Sequence, residues 1–281
     1  MTSSPTLTFN DGNTIPQLGY GVWQVEDDVA EKVVFQAFQA GFRHIDTARI
    51  YGNESGVGRA IAGSGLSPEE LFITTKLWNS DQGYESTLAA FEESMERLGL
   101  QTLDLYLIHW LQPKQDKYVD TWKALIELQR RGRVKSIGVS NFTVEGLQRI
   151  IAETGVVPAI NQVELHPFFN QAELREFNAS QGILTQAWSP LGQGGELLED
   201  STITAIAEKH GATPAQVVIA WHLAIGNVVI PKSVTESRIR ENYAALNITL
   251  DAEDVKAING LDRTAAGTGR IGPDPAVSDF A

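Results

Sequence analysis

Four side chains of different chemistry stand in the first half of the chain: Asp46, Tyr51, Lys76 and His109. A phenol titrates near a pKa of about 10, so a tyrosine works as a general acid only where its proton is made labile. An adjacent ammonium does this, because positive charge favours the phenolate. Lys76 can supply the ammonium and Asp46 the carboxylate that keeps it charged and oriented. His109 can orient a carbonyl or relay a proton. Each residue also has an ordinary use. Asp46 could cap a helix, Tyr51 pack in a loop, Lys76 sit on the surface, and His109 be a hydrogen-bonded core histidine. A lysine in a pocket could instead form a Schiff base with a carbonyl, the chemistry of barrel lyases.

The elements that would carry these residues separate the two readings. From Leu18 onward, short β-rich runs alternate with amphipathic helical stretches. The runs are LGYGV (18–22), FRHID (42–46), LFITTK (71–76), LDLYLIH (103–109), VKSIGVS (134–140), PAINQVE (158–164), ILTQAWS (183–189) and NVVIPKS (227–233). Residues 27–41 have helical periodicity, with Val29, Val33, Ala37 and Ala40 on one face and Gly41 as the stop. Residues 85–99 and 119–132 are patterned alike, each ending in basic residues and a glycine. Such alternation predicts an α/β fold with parallel strands and crossover helices. Eight units are the number that closes a barrel, with an open doubly wound sheet as the alternative. Asp46, Lys76, His109, Ser140-Asn141, Gln162, Trp188-Ser189 and Lys232-Ser233 then all fall at strand ends, the rim where a barrel builds its site.

Composition narrows the function classes. The net charge of −13 is the wrong sign for nucleic acid, which is bound through cationic contacts to phosphate. The absence of cysteine removes disulfides, thiolate metal sites and Cys nucleophiles, and fits a reducing, cytoplasmic setting. The five histidines lack metal-ligand spacing, so no metal is expected. The N-terminus lacks the basic and apolar regions of a signal peptide, and no apolar run reaches membrane-spanning length. Gly267, Gly269 and Gly272 match a dinucleotide-binding G-x-G-x-x-G, but a helical pattern precedes them and Pro273 follows. That is the wrong context for presenting N–H groups to a pyrophosphate. No heptads point to an oligomer.

The motifs around these residues resemble the aldo-keto reductase superfamily. They are GFRHIDTARIYGNE (41–54), ITTKLW (73–78), DLYLIHW (104–110), IGVSNF (137–142), IPKS (230–233) and RIREN (238–242). The resemblance spans the chain. NDGNTIPQLGYGVW (10–23) and NQVELHP (161–167) are most similar to bacterial 2,5-diketo-D-gluconate reductases. It implies a (β/α)8 TIM barrel with an N-terminal hairpin, two extra helices and a C-terminal loop. It also implies NADPH-dependent reduction of a small carbonyl substrate, with methylglyoxal or a keto sugar acid as examples. The implied tetrad is Asp46, Tyr51, Lys76 and His109, with Tyr51 as proton donor. Ser140, Asn141 and Gln162 are implied to hold the nicotinamide carboxamide, with the ring stacked on Trp188. Ser189, Leu191, Gly192, Lys232, Ser233, Val234, Arg238, Glu241 and Asn242 are implied to line the phosphate and adenosine end. A non-catalytic NADP(H)-binding barrel is the other alternative.

Two positions depart from the common pattern of the superfamily. Leu111 follows the His-Trp pair where proline is frequent, and Trp188 stands where tyrosine is usual. Trp23, Trp78 and Trp110 lie just beyond strands and are expected to wall the substrate pocket with His109. Trp122 and Trp221 lie in helical patterns and are expected in the core. Residues 1–281 read as one domain, with residues 1–17 a hairpin cap turning at Asp11-Gly12. Residues 235–246 and 251–261 read as two further helices, and residues 261–281 as a Gly/Pro-rich tail with freedom to move.

Overall fold

The computed structural model describes residues 3–278 and 280; the first two residues of the expected cap, and Asp279 and Ala281 of the expected tail, lie outside it. Strands β1 (Thr6–Thr8) and β2 (Thr14–Pro16) form the antiparallel hairpin. Gly12, at φ 89°, makes the turn, and its N–H donates to Phe9 O at 3.1 Å. Eight parallel strands follow: β3 (Tyr20–Gly21), β4 (His44–Asp46), β5 (Phe72–Leu77), β6 (Leu103–Ile108), β7 (Val134–Ser140), β8 (Ile160–Glu164), β9 (Leu184–Trp188) and β10 (Val228–Val229). Each pairs with its sequence neighbour. The ends meet where Gly19 N donates to Val229 O (2.9 Å) and Val229 N to Gln17 O (2.8 Å). The sheet therefore closes, which excludes the open doubly wound alternative.

The strands are buried on both faces because a ring of helices covers them. The ring begins with α1 (Asp27–Ala40), α2 (Glu54–Gly63), α3 (Tyr84–Leu98), α4 (Tyr118–Arg130), α5 (Val144–Thr154) and α6 (Ala172–Ser180). After the short α7 (Glu196–Glu199) come α8 (Ser201–His210) and α9 (Pro214–Ala224); α10 (Glu236–Ala244) and α11 (Ala252–Asn259) follow the last strand. Both helices expected after the eighth strand are present. Helix α10 packs between α9 and α1 and completes the ring, while α11 packs against α8 and α9 outside it. Helix α9 starts in a capping box in which Thr213 accepts from Gln216 N and Pro214 holds the first position. Its Val217–His222 segment is wholly buried, and Trp221, like Trp122 in α4, is fully enclosed.

Helix α1 buries most of the face that periodicity suggests, with one exception at its start. Val33, Ala37 and Ala40 point inward as expected, joined by Ala30, Val34 and Phe38, whereas Val29 is 38% exposed. Small side chains are needed where α1 lies close to α2. Gly41 ends α1 at φ 117°, where a Cβ would come within 2.5 Å of the Tyr243 ring in α10, so the stop also lets α10 dock. The hairpin closes the barrel floor, its Phe9 and Ile15 packing with Leu105, Leu107, Ile160 and Val228. The opposite mouth, at the strand C-termini, is left for polar groups.

Candidate active site

Asp46 is the last residue of β4, Lys76 lies near the end of β5 and His109 follows β6. Tyr51 closes a 3₁₀ turn over Arg49–Tyr51 after β4. Asp46 and Thr74 are parallel partners, so adjacent strands carry the acid and the base into one place. Lys76 Nζ donates to Asp46 Oδ1 at 2.5 Å, to Thr47 O at 2.9 Å and to Tyr51 Oη at 3.5 Å. An ammonium has three protons, and all three are accounted for. The other Asp46 oxygen accepts from Gln162 Nε2 at 2.8 Å. Lys76 and Asp46 are both buried, and an ion pair so placed persists only with this degree of matching.

The electrostatics follow from burial and pairing. Burial alone would lower the pKa of Lys76, but the charges and hydrogen bonds of Asp46 and Tyr51 together outweigh it and the ammonium is held above its ordinary value. Burial raises the Tyr51 phenol, and the Lys76 charge and hydrogen bond work against that rise. The ammonium thus has the expected sign of effect, yet the phenol stays above its ordinary value because desolvation is larger. Tyr51 Oη accepts from Lys76, leaving its own proton available to a group in the cavity. His109 is pushed well below the usual histidine range, first by burial and then by Lys76, and is a neutral ring. It stands edge-on to Tyr51 (centroids 5.7 Å apart) and to Trp78 (5.3 Å), with Nδ1 unpartnered among the described residues.

These groups open into a cavity of about 1010 Å³. Asp46, Tyr51, Trp23, Trp78, His109 and Trp110 line one end. Asn141, Gln162, Trp188, Ser189, Leu191, Lys232, Ser233, Arg238, Glu241 and Asn242 line the rest. Four expected residues are not on the wall. Lys76 is buried beneath it, and Ser140 is buried, donating to Gln162 O at 2.8 Å. Gly192 lies in a turn, its N–H donating to Ser189 O, and Val234 is half exposed. Asn141, at φ 56°, donates to His109 O at 3.0 Å and accepts from Trp188 Nε1 at 2.8 Å. The indole at position 188 therefore makes a hydrogen bond that fixes its plane. Leu111, in place of the frequent proline, is buried against Gly146.

Several wall residues escaped sequence reasoning. Thr213, Pro214 and Ala215 bring the start of α9 to the cavity, and Thr213 Oγ1 donates to Glu241 at 2.8 Å. The T-P-x-Q capping signature was visible, but its position against β10 was not. Gln193, Gly194 and Gly195 add a loop wall, and Gly272, Pro273 and Phe280 bring the tail onto the site. The tail touches the barrel at Glu164, to which Ile271 N and Gly272 N donate at 2.6 and 2.7 Å. Among the described residues no helix is long and apolar enough to cross a membrane, and no cluster of ligands is arranged to hold a metal.

Comparison with known proteins gives consistent results. The pattern of the Aldo/keto reductase family matches residues 16–263. An aldo-keto reductase of Mycolicibacterium smegmatis is 56% identical over 278 residues, covering 99% of each chain. The methylglyoxal reductase DkgA of Escherichia coli (strain K12) is 48% identical over 276 residues, covering 98% of each chain. The crystal structure of a mutant Gox0644 in complex with NADPH superposes with a TM-score of 0.94 at 52% identity, covering 99% of this chain and 100% of that one.

Proposed function

The chain belongs to the aldo/keto reductase family, and on that footing we propose that it uses NADPH to reduce an aldehyde or ketone, with Tyr51 as proton donor. The observation that carries this reading is the Tyr51–Lys76–Asp46 chain of hydrogen bonds at the cavity wall. NADPH supplies the hydride when bound. The cavity fits such a cofactor in shape and chemistry. The Trp188 indole offers a face for a flat ring, and Asn141 and Gln162 offer amide groups beside it. At the far end, Lys232 and Arg238 have no ion-pair partner among the described residues, although the protein carries a net charge of −13 and most of its arginines are paired. Both lie near the N-terminus of α10, where free N–H groups and the helix dipole favour an anion. A 2′-phosphate is the anion that distinguishes NADPH.

In this reading each protein group has one task. Tyr51 donates its proton to the substrate oxygen, and Lys76 stabilises the phenolate left behind. Asp46 keeps Lys76 protonated, and Gln162 keeps Asp46 oriented. His109, being neutral, orients the carbonyl by hydrogen bonding rather than repelling charge at Lys76. The alternative lyase chemistry requires a neutral, accessible amine. Lys76 is charged, buried and shared among three acceptors, which favours the reductase.

The substrate end favours small neutral carbonyls such as methylglyoxal over keto sugar acids. It is walled by Trp23, Trp78, Trp110 and His109, and no Lys or Arg among the described residues lines it to meet a substrate carboxylate. The test is NADPH oxidation with methylglyoxal, a keto sugar acid and an aromatic aldehyde. Turnover with at least one is expected, with methylglyoxal preferred to the acid by kcat/KM. No oxidation of NADPH with any of them would overturn the reading.

A further inference from the structure

Glu164 ends β8 in register with Trp188 and is 1% exposed. A buried carboxylate persists only where its oxygens are matched by donors. Here the donors come from the distant tail. Oε1 accepts from Ile271 N at 2.6 Å and Oε2 from Gly272 N at 2.7 Å, and the His166 ring lies 3.1 Å from Oε1. Burial would raise the carboxyl pKa, but these hydrogen bonds outweigh it and hold it below the usual range. Gly272 is pressed against the cofactor-side indole, since a Cβ there would come 2.5 Å from Trp188 Cη2 and 2.9 Å from Glu164 Oε2. Arg263 adds a guanidinium stacked 3.5 Å over the Phe168 ring.

The same segment ends inside the cavity. Phe280 stands edge-on to Trp110 at 4.9 Å and tilted against Trp78 at 6.0 Å, and its carbonyl accepts from Asn79 Nδ2 at 2.8 Å. It thus fills space beside Trp78 and Trp110, in the cavity that Tyr51 and His109 also line. We infer that Glu164 is a clasp that fastens the C-terminal segment across the cavity, and that Phe280, carried on that segment, limits the size of the carbonyl substrate. The size limit rests on the reductase reading; the clasp does not.

The two halves have separate tests on the full-length protein. Glutamine at 164 keeps the volume but presents one acceptor and one N–H₂, so it cannot accept both tail amides. Hydrogen exchange of Glu164→Gln should show residues 264–273 exchanging roughly 10-fold faster or more, the range expected for losing hydrogen bonds to a charged group. Strand β6 should exchange as in the wild type, showing that the barrel is intact. Unchanged exchange over 264–273 would overturn the clasp. Should Glu164→Gln not fold, Gly272→Ala serves instead, because its Cβ must push the segment off Trp188 and Glu164; the same rise in exchange over 264–273 is expected, and unchanged exchange overturns the clasp. For the size limit, Phe280→Ala should raise the ratio of kcat/KM for an aromatic aldehyde to that for methylglyoxal by about 10-fold, on the scale of one large apolar contact. A ratio within 2-fold of wild type would overturn it. If the wild type fails to oxidise NADPH with any of the carbonyls, the reductase reading fails while the exchange result still decides the clasp.

Discussion

The chemistry of the site depends on a balance at Tyr51 between burial, which holds its proton on, and the Lys76 charge, which loosens it. Removing that charge leaves burial unopposed. Lys76→Met should therefore abolish most activity and raise the Tyr51 pKa further. An NMR or ultraviolet titration that finds the tyrosine pKa lowered in this variant contradicts the coupling. A second prediction concerns Arg238. A guanidinium holds a phosphate through paired N–H bonds, and hydrogen bonds to charged groups contribute about 1.5–3 kcal/mol. Arg238→Ala should then weaken NADPH roughly 10- to 150-fold and NADH far less, by fluorescence titration of each; equal losses exclude a 2′-phosphate contact. Residue types were readable because polar side chains at the ends of buried strands are conspicuous. The net direction at Tyr51 was not, because desolvation depends on residues such as Trp78 and His109 that arrive from other strands.

At the scale of elements, alternation of strand and helix patterns carried the barrel, and the expected rim residues do gather at one mouth. Phase was harder to read. In α1, Val33, Ala37 and Ala40 are buried as expected, but Val29 and Phe35 are 38% exposed while Ala30 is buried, because α2 approaches closely at Ala30, where a Cβ on Gly56 would come within 2.9 Å. The tail was the larger omission. Its glycines and prolines carry no periodic pattern, and its anchor is a carboxylate 107 residues upstream, so no local signal announces it. Capping boxes, by contrast, are local signals, and the one at Thr213 also reaches the site through Glu241. Thr213→Ala should cost about 1 kcal/mol of stability, the usual loss for such a cap, seen as a lowered urea midpoint with an unchanged slope. No shift in the midpoint means that the cap does not hold α9.

For the whole molecule, closing a barrel buries histidines that must stay neutral. Burial lowers His44 to about 4 and His222 to about 3, from 6.5. His44 Nδ1 donates to Pro16 O, and His222 Nε2 to Pro190 O. The unfolded chain binds protons at both positions once the pH falls below about 6.5, so stability is fully present above that pH. It is lost progressively as the pH falls to about 4 for His44 and about 3 for His222, on the order of 3 and 5 kcal/mol respectively. Urea unfolding from pH 7 to pH 4 should show this decline, and His222→Gln should flatten it at the acid end; a pH-independent midpoint contradicts it. The assembled barrel also sets the test of the central claim, that Tyr51 protonates the substrate oxygen while NADPH is held elsewhere in the cavity. The measurement is single-turnover NADPH oxidation by Tyr51→Phe, alongside NADPH titration of the same variant. Turnover should fall by about 10²–10⁴-fold, the usual contribution of general acid catalysis, with NADPH affinity within a few-fold of wild type. Near-wild-type single-turnover rates in Tyr51→Phe would contradict it.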